Sequence, residues 1–175
     1  MAEPSPPRPE SRAPDDPGPE PRADRTFLVV VDTSEEMRVA LRFACRRAYH
    51  TGGRVGLLYV QEPADSQEWM MVEEKMRDER REEAERVLHT LAAEVNRLTG
   101  KMPILFVREG TAHDAILKIT AEEPSIAVLV LGAGTGKKGP GPLVSQLAGR
   151  MSGKFPIPIT VVPGNLTDAQ IDTLA

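Results

Sequence analysis

The sequence contains little of what several common protein classes require. Cys45 is the only cysteine, so an intramolecular disulfide and a cysteine-based zinc cluster are both excluded. Aromatic residues make up 4% of the chain, and 22 Lys and Arg stand against 26 Asp and Glu, for a net charge of −4. Proteins that bind nucleic acids electrostatically carry a basic surface instead. We therefore expect no nucleic-acid partner.

Long apolar runs are also missing. The longest ones, such as residues 126–131, are far shorter than the roughly 20 apolar residues of a membrane-spanning helix. The N-terminus has abundant proline, mixed charge and no apolar segment, so it does not look like a secretory signal. These features predict a soluble, cytoplasmic protein that has no membrane association.

Residues 1–25 differ in composition from the rest of the chain. They are rich in proline and contain no Val, Ile, Leu, Phe, Trp or Tyr. A segment without large apolar residues cannot bury a core. We therefore expect a disordered Pro-rich arm at 1–25, an α/β domain over 26–163 and a C-terminal tail at 164–175.

Short apolar runs alternate with helical patterns through the expected domain. Strands are predicted at residues 27–31, 55–60, 104–107, 126–131 and 158–162. This alternation predicts an α/β fold in which helices sandwich a five-stranded parallel sheet, with an open, Rossmann-like arrangement. The run 126–131 is apolar throughout, which is typical of a strand buried on both faces. Pro156 and Pro158 favour an edge position for the last strand.

Two helical segments have further features. Thr33 and Glu36 have the spacing of a capping box ahead of the first apolar stripe. The pattern of apolar residues over 66–98 is typical of a helix in two parts. The first part is highly charged, and we expect it to face solvent.

Ligands of open parallel sheets bind beyond the carboxyl ends of the strands, where the strand order reverses. The polar segment 32–34 follows the first strand and the Gly/Pro-rich loop 132–142 follows the fourth. If these strands are neighbours, both loops face one crevice. Residues 134–139 also match G-x-G-x-x-G, but the next strand ends in Val162 and Pro163 instead of the acidic residue that a dinucleotide site requires.

No catalytic constellation stands out in the sequence. The three histidines lack a metal-ligand spacing. His113 and Asp114 are adjacent on a predicted helix, so their side chains point about 100° apart, which disfavours a catalytic pair. Cys45 lies on an apolar helix stripe, which predicts a small buried side chain rather than a reactive thiol. We do not predict an enzyme.

Three segments in order carry a resemblance to a known family. They are the strand end Val31-Asp32-Thr33-Ser34, the strand and glycine Val128–Gly132, and the closing strand Pro158–Val162. The chain from about Thr26 to Pro163 resembles the universal stress protein family. The resemblance implies a stress-response or regulatory module, ATP or another adenine nucleotide as ligand, with Mg²⁺ if bound, and a homodimer through strand 158–162.

The resemblance also implies a set of site residues. Nucleotide-binding members of the family carry G-x2-G-x9-G-[ST] after the fourth strand. In that register Gly132 matches, whereas Thr135, Ser145 and Gln146 occupy the remaining positions. Extra glycines keep the loop permissive. The implied nucleotide-binding residues are Asp32, Val60, Leu131, Gly132, Gly134, Thr135, Gly136, Ser145 and Gln146.

Two other functions remain open at this point. The departures from the glycine pattern allow a dimeric interaction protein that binds no nucleotide and acts through a protein partner. Slow ATP hydrolysis is a third possibility, although no residue presents itself as a general base.

Overall fold

The computed structural model describes residues 25–61, 70–151, 153 and 155–175. Within these residues, five parallel strands form one sheet in the order β3-β2-β1-β4-β5. The strands are β1 (Thr26–Val31), β2 (Arg54–Gln61), β3 (Ile104–Glu109), β4 (Ile126–Ala133) and β5 (Ile159–Pro163). The predicted parallel α/β fold is confirmed. Residues 1–24 of the predicted arm and 66–69 of the predicted charged helix lie outside the described residues.

The strand order reverses between β1 and β4. The chain runs outward from β1 through β2 to β3, then returns to the other side of β1 for β4 and β5. Val29 pairs with Leu57 on one side and with Val130 on the other. The carboxyl ends of β1 and β4 are therefore neighbours, as the crevice hypothesis required. β3 and β5 are the two edge strands.

Helices cover both faces of the sheet. They are α1 (Glu35–Thr51), α2 (Met70–Thr99), α3 (Ala112–Glu122), the short α4 (Pro142–Val144), which continues as a π-helix (Ser145–Arg150), and α5 (Asp168–Leu174). On one face, side chains of α1 and α2 pack on Val29 and Leu57. On the other, side chains of α3 and of the α4 region pack on Leu28 and Leu129. Alternate residues of each inner strand thus enter opposite cores, which explains their continuous apolar sequence.

The start of α1 differs from the predicted capping box. Its N-cap is Ser34, not Thr33, and the Ser34 hydroxyl accepts a hydrogen bond from the Met37 backbone N–H at 3.2 Å. Oδ1 of Asp32 accepts hydrogen bonds from the Ser34 N–H at 2.7 Å and from the Ser34 hydroxyl at 2.6 Å. This short turn moves the cap by one residue and leaves Glu36 out of it, so the predicted capping box was wrong.

The C-terminal tail docks on α1 through α5. Ile171 of α5 is fully buried, and Arg42 of α1 forms ion pairs with Asp168 at 3.3 Å and Asp172 at 3.0 Å. Thr167 and Gln170 form a reciprocal capping box at the start of α5. The tail therefore packs against the sheet-covering helix.

No helix in the described part of the chain has both the length and the apolar character that crossing a membrane requires.

Candidate functional site

A crevice of about 390 Å³ opens at the carboxyl ends of β1 and β4. One wall is the first turns of α1. The other is the segment that follows β4, residues 134–141, which we call the glycine loop. Beneath both walls the two strands form the floor. The crevice therefore lies at the switch point of the sheet, where open α/β folds bind ligands.

The lining of the crevice is divided by polarity. The apolar part consists mainly of Val29, Val30, Met37, Ala40, Val130, Leu131 and Val144. The polar side chains at its mouth are Asp32, Ser34, Glu36 and Lys138. An apolar floor under a few polar groups is the usual lining of a small-molecule site.

Four of the residues named from the sequence line the crevice, namely Asp32, Leu131, Gly132 and Gly134. Asp32 is exposed at the mouth. Its carboxylate also fixes the turn into α1 through its two hydrogen bonds with Ser34. Leu131 is buried in the floor.

The other residues named from the sequence are not part of this lining. Thr135 and Gly136 are exposed at the tip of the glycine loop. The Ser145 hydroxyl donates a hydrogen bond to the Gly141 carbonyl at 2.8 Å, and Gln146 is exposed one residue further on. Val60 on β2 packs against the core on the α3 side of the sheet.

Gly132 is required by the packing of α1. A Cβ at this position would lie 2.2 Å from the backbone oxygen of Glu36, closer than real side chains come. At Gly164 a Cβ would lie 2.4 Å from Cγ of Glu36, and at Gly134 it would lie 3.3 Å from Oε1 of Glu36. Gly132, Gly134 and Gly164 thus form a glycine seat for Glu36.

Glu36 is the residue of this site that sequence reasoning missed. Its side chain is half-buried and lines the crevice, and its carboxylate has no hydrogen-bond or ion-pair partner among the described residues. It belongs to the first turn of α1, where the helix dipole stabilises negative charge. No local pattern marks Glu36 as a site residue, because its role depends on how α1 is placed against β4.

The glycine loop is closed on itself. The Gly134 N–H donates to the Pro140 carbonyl at 3.3 Å, and the Gly139 N–H donates to the Gly136 carbonyl at 3.0 Å. Gly139 has a φ of 80° and Gly141 has a φ of 96°, values that residues other than glycine rarely adopt. Two backbone donors of the glycine loop, the N–H groups of Gly134 and Gly139, are therefore already used inside the loop.

The remaining reactive groups lie elsewhere. Cys45 is fully buried on α1, and burial raises the pKa of its thiol to about 12. It is an inert core side chain, as expected. Among the described residues, no group of three or more His, Cys, Asp and Glu is placed to hold a metal ion.

His113 and Asp114 do contact each other. His113 Nδ1 lies 3.2 Å from an oxygen of Asp114, so the expectation that they point apart was wrong. One carboxylate oxygen of Asp114 accepts a hydrogen bond from the Thr111 hydroxyl at 2.8 Å, and the other oxygen is then within reach of His113. A hydrogen bond from the Thr111 hydroxyl, with a second one from His113, lowers the pKa of Asp114. Nε2 of His113 contacts the sulfur of Met151 at 2.9 Å, so both ring nitrogens are engaged.

The fold and the crevice together define an open α/β protein with a crevice at the switch point of its sheet. Residues 25–163 match the model of the universal stress protein family. Because that match covers well over half of the chain, the protein belongs to the universal stress protein family. The resemblance drawn from its motifs is confirmed.

Solved structures share this fold. A universal stress family protein from Burkholderia pseudomallei is 22% identical, with 81% of this chain and 98% of that chain covered and a TM-score of 0.62. UspA from Lactobacillus plantarum is 18% identical, with 79% and 97% covered and a TM-score of 0.65. A universal stress protein in complex with cAMP is 15% identical, with 79% and 96% covered and a TM-score of 0.55. No curated protein sequence matches the chain.

Proposed function

We propose that this universal stress protein is a regulatory module that binds an adenine nucleotide in the crevice between α1 and the glycine loop. The observation that carries the proposal is the crevice itself, which lies where β1 and β4 end side by side. Its volume of about 390 Å³ falls in the range of small-molecule sites, roughly 300–1,000 Å³. The family member solved with cAMP supports an adenine ligand.

The lining suggests how such a ligand would be held. The purine ring would cover the apolar floor around Val30 and Leu131, and its polar edge would face Asp32. Lys138 is exposed on the glycine loop and belongs to the lining, so its ammonium group would attract a phosphate. The proposal is for binding without turnover.

Regulation would follow from the state of the glycine loop. A phosphate that accepts hydrogen bonds from the amides of Gly134 or Gly139 must first replace their bonds inside the loop. A ligand that binds the open loop better than the closed one shifts the population toward the open form. The exposed loop tip would then present a different surface to a protein partner.

The test is a calorimetric titration of the purified protein with cAMP and with ATP, with and without Mg²⁺. The matched variants are Lys138→Ala, which removes the lining cation, and Lys137→Ala, which removes an exposed neighbour outside the lining. We expect one ligand per chain and a severalfold weaker affinity for Lys138→Ala only. No heat with either ligand, together with an unchanged melting temperature, would contradict the proposal.

A second function is favoured by the exposed edge of β5. This strand pairs with β4 on one side only, and Val161 remains 38% exposed. An unpaired edge strand can add the same strand of a second copy, so a homodimer that works without nucleotide is the alternative. Sedimentation of Val161→Lys should show monomers, whereas Val107→Lys on the opposite edge strand β3 should leave the dimer intact.

A further inference from the structure

We propose that Glu36 makes the crevice selective for adenine ligands of low negative charge, a nucleoside or its monophosphate, over the nucleoside triphosphate. This inference rests on the proposed function and concerns the same crevice. It depends on three observations: where Glu36 is held, which charges surround it, and which backbone donors are already used.

Glu36 is held in the crevice by the packing of the chain. The glycine seat leaves room for its backbone oxygen at Gly132, for its Cγ at Gly164 and for its carboxylate at Gly134. Any side chain at Gly132 would collide with the backbone of α1. The space that these glycines create is thus occupied by the protein's own acid, and a ligand must approach Gly134 beside a carboxylate.

The charges of the lining oppose a long phosphate chain. Among the described lining residues, Asp32 and Glu36 are acidic and Lys138 is the one cation. Neither Glu36 nor Lys138 has a hydrogen-bond or ion-pair partner in the described part of the chain, so both are available to a ligand. Like charges a few ångströms apart repel strongly in a partly dehydrated site. One lysine can offset a single phosphate but not three beside two acids.

The hydrogen bonds inside the glycine loop also disfavour a triphosphate. Phosphate sites on loops work through several backbone N–H groups aimed at the anion. Here the N–H groups of Gly134 and Gly139 are bonded within the loop. A nucleoside does not need them, because its ribose hydroxyls are donors that match the free carboxylate of Glu36.

The experiment compares Glu36→Gln with Glu35→Gln. Both variants remove one negative charge from the first turn of α1, but Glu35 does not belong to the crevice lining. Each protein is titrated with adenosine, AMP and ATP in the absence of divalent cations, after thermal melting shows that it is folded. The measured quantity is the ratio of the Kd for ATP to the Kd for adenosine.

We expect the wild-type protein to bind adenosine and AMP more tightly than ATP. Glu36→Gln should lower the Kd ratio by at least about tenfold, equivalent to 1.4 kcal/mol, and Glu35→Gln should leave it within about twofold, since its charge is exposed and screened. ATP binding that equals adenosine binding in the wild type, or equal ratios in the two variants, would overturn the inference while the proposed function stands.

Two further outcomes separate the possible failures. If none of the three ligands binds to any variant, the proposed function itself is wrong, and the selectivity falls with it. If Mg²⁺ restores tight ATP binding in the wild type but not in Glu36→Gln, the carboxylate binds the metal that accompanies the triphosphate, and the inference is overturned.

Discussion

The two walls of the crevice are built in opposite ways. The α1 wall is fixed: Ala40 and Leu41 are buried against the sheet, and α5 packs on the helix from outside. The glycine loop is exposed over residues 135–138 and is held mainly by two backbone hydrogen bonds of its own. Few buried contacts mean a low cost of local opening. In the proposed function, the fixed α1 wall would therefore set which ligand fits, and the glycine loop would set how the protein responds to that ligand.

The largest expected effect concerns the contact between Gly132 and α1. In Gly132→Ala the new Cβ would lie 2.2 Å from the backbone oxygen of Glu36, so helix and strand must separate. We expect a loss of about 3 kcal/mol in the free energy of unfolding, the upper part of the range for overpacked sites. Urea denaturation gives this value. Gly136→Ala in the glycine loop is the control, because a Cβ there meets nothing within 4 Å. Equal stability of the two variants would show that α1 and β4 can move apart at little cost.

The next effect tests whether α5 stabilises the fixed wall. Ile171 is fully buried, whereas Leu174 of the same helix is 62% exposed. Ile171→Ala should cost about 2–3 kcal/mol by urea denaturation, because a large buried side chain is truncated. Leu174→Ala should cost less than about 0.5 kcal/mol, as surface substitutions do. A similar small cost for both would mean that α5 detaches without consequence for α1.

The floor of the crevice and its place in the fold could be predicted from the sequence. The continuous apolar runs of β1 and β4 predicted buried parallel strands, and the topology rule for such sheets predicted a crevice at their carboxyl ends. Both predictions depend on local patterns that neighbouring residues reveal. The role of Glu36 could not be found in this way, because its seat joins Gly132 and Gly164 to a helix about a hundred residues earlier. Packing between distant segments leaves no local pattern.

The start of α1 shows a smaller failure of the same kind. The capping-box pattern selected Thr33, but the Asp32 carboxylate turns the chain and makes Ser34 the cap. Ser34→Ala should therefore lower the free energy of unfolding by about 1 kcal/mol, the usual value of an N-cap hydroxyl. Thr33→Ala removes the hydroxyl that the sequence favoured and should change stability by less than about 0.5 kcal/mol, because Thr33 is exposed. A larger loss of stability for Thr33→Ala than for Ser34→Ala would show that Thr33 is the N-cap of α1.

The smallest expected effect is at Thr135, and it separates the motif from the geometry. The family register assigns a phosphate-binding glycine to this position, so the motif predicts that Thr135→Gly tightens nucleotide binding. The structure places Thr135 at the exposed loop tip, outside the crevice lining. We therefore expect Thr135→Gly to leave the affinity for AMP and for ATP within about twofold and the stability within about 0.5 kcal/mol, as for exposed loop sites. Calorimetric titration and urea denaturation of the same samples give both values. A clear gain in ATP affinity would mean that the loop reopens around a phosphate chain, and the loop wall rather than Glu36 would then decide the ligand.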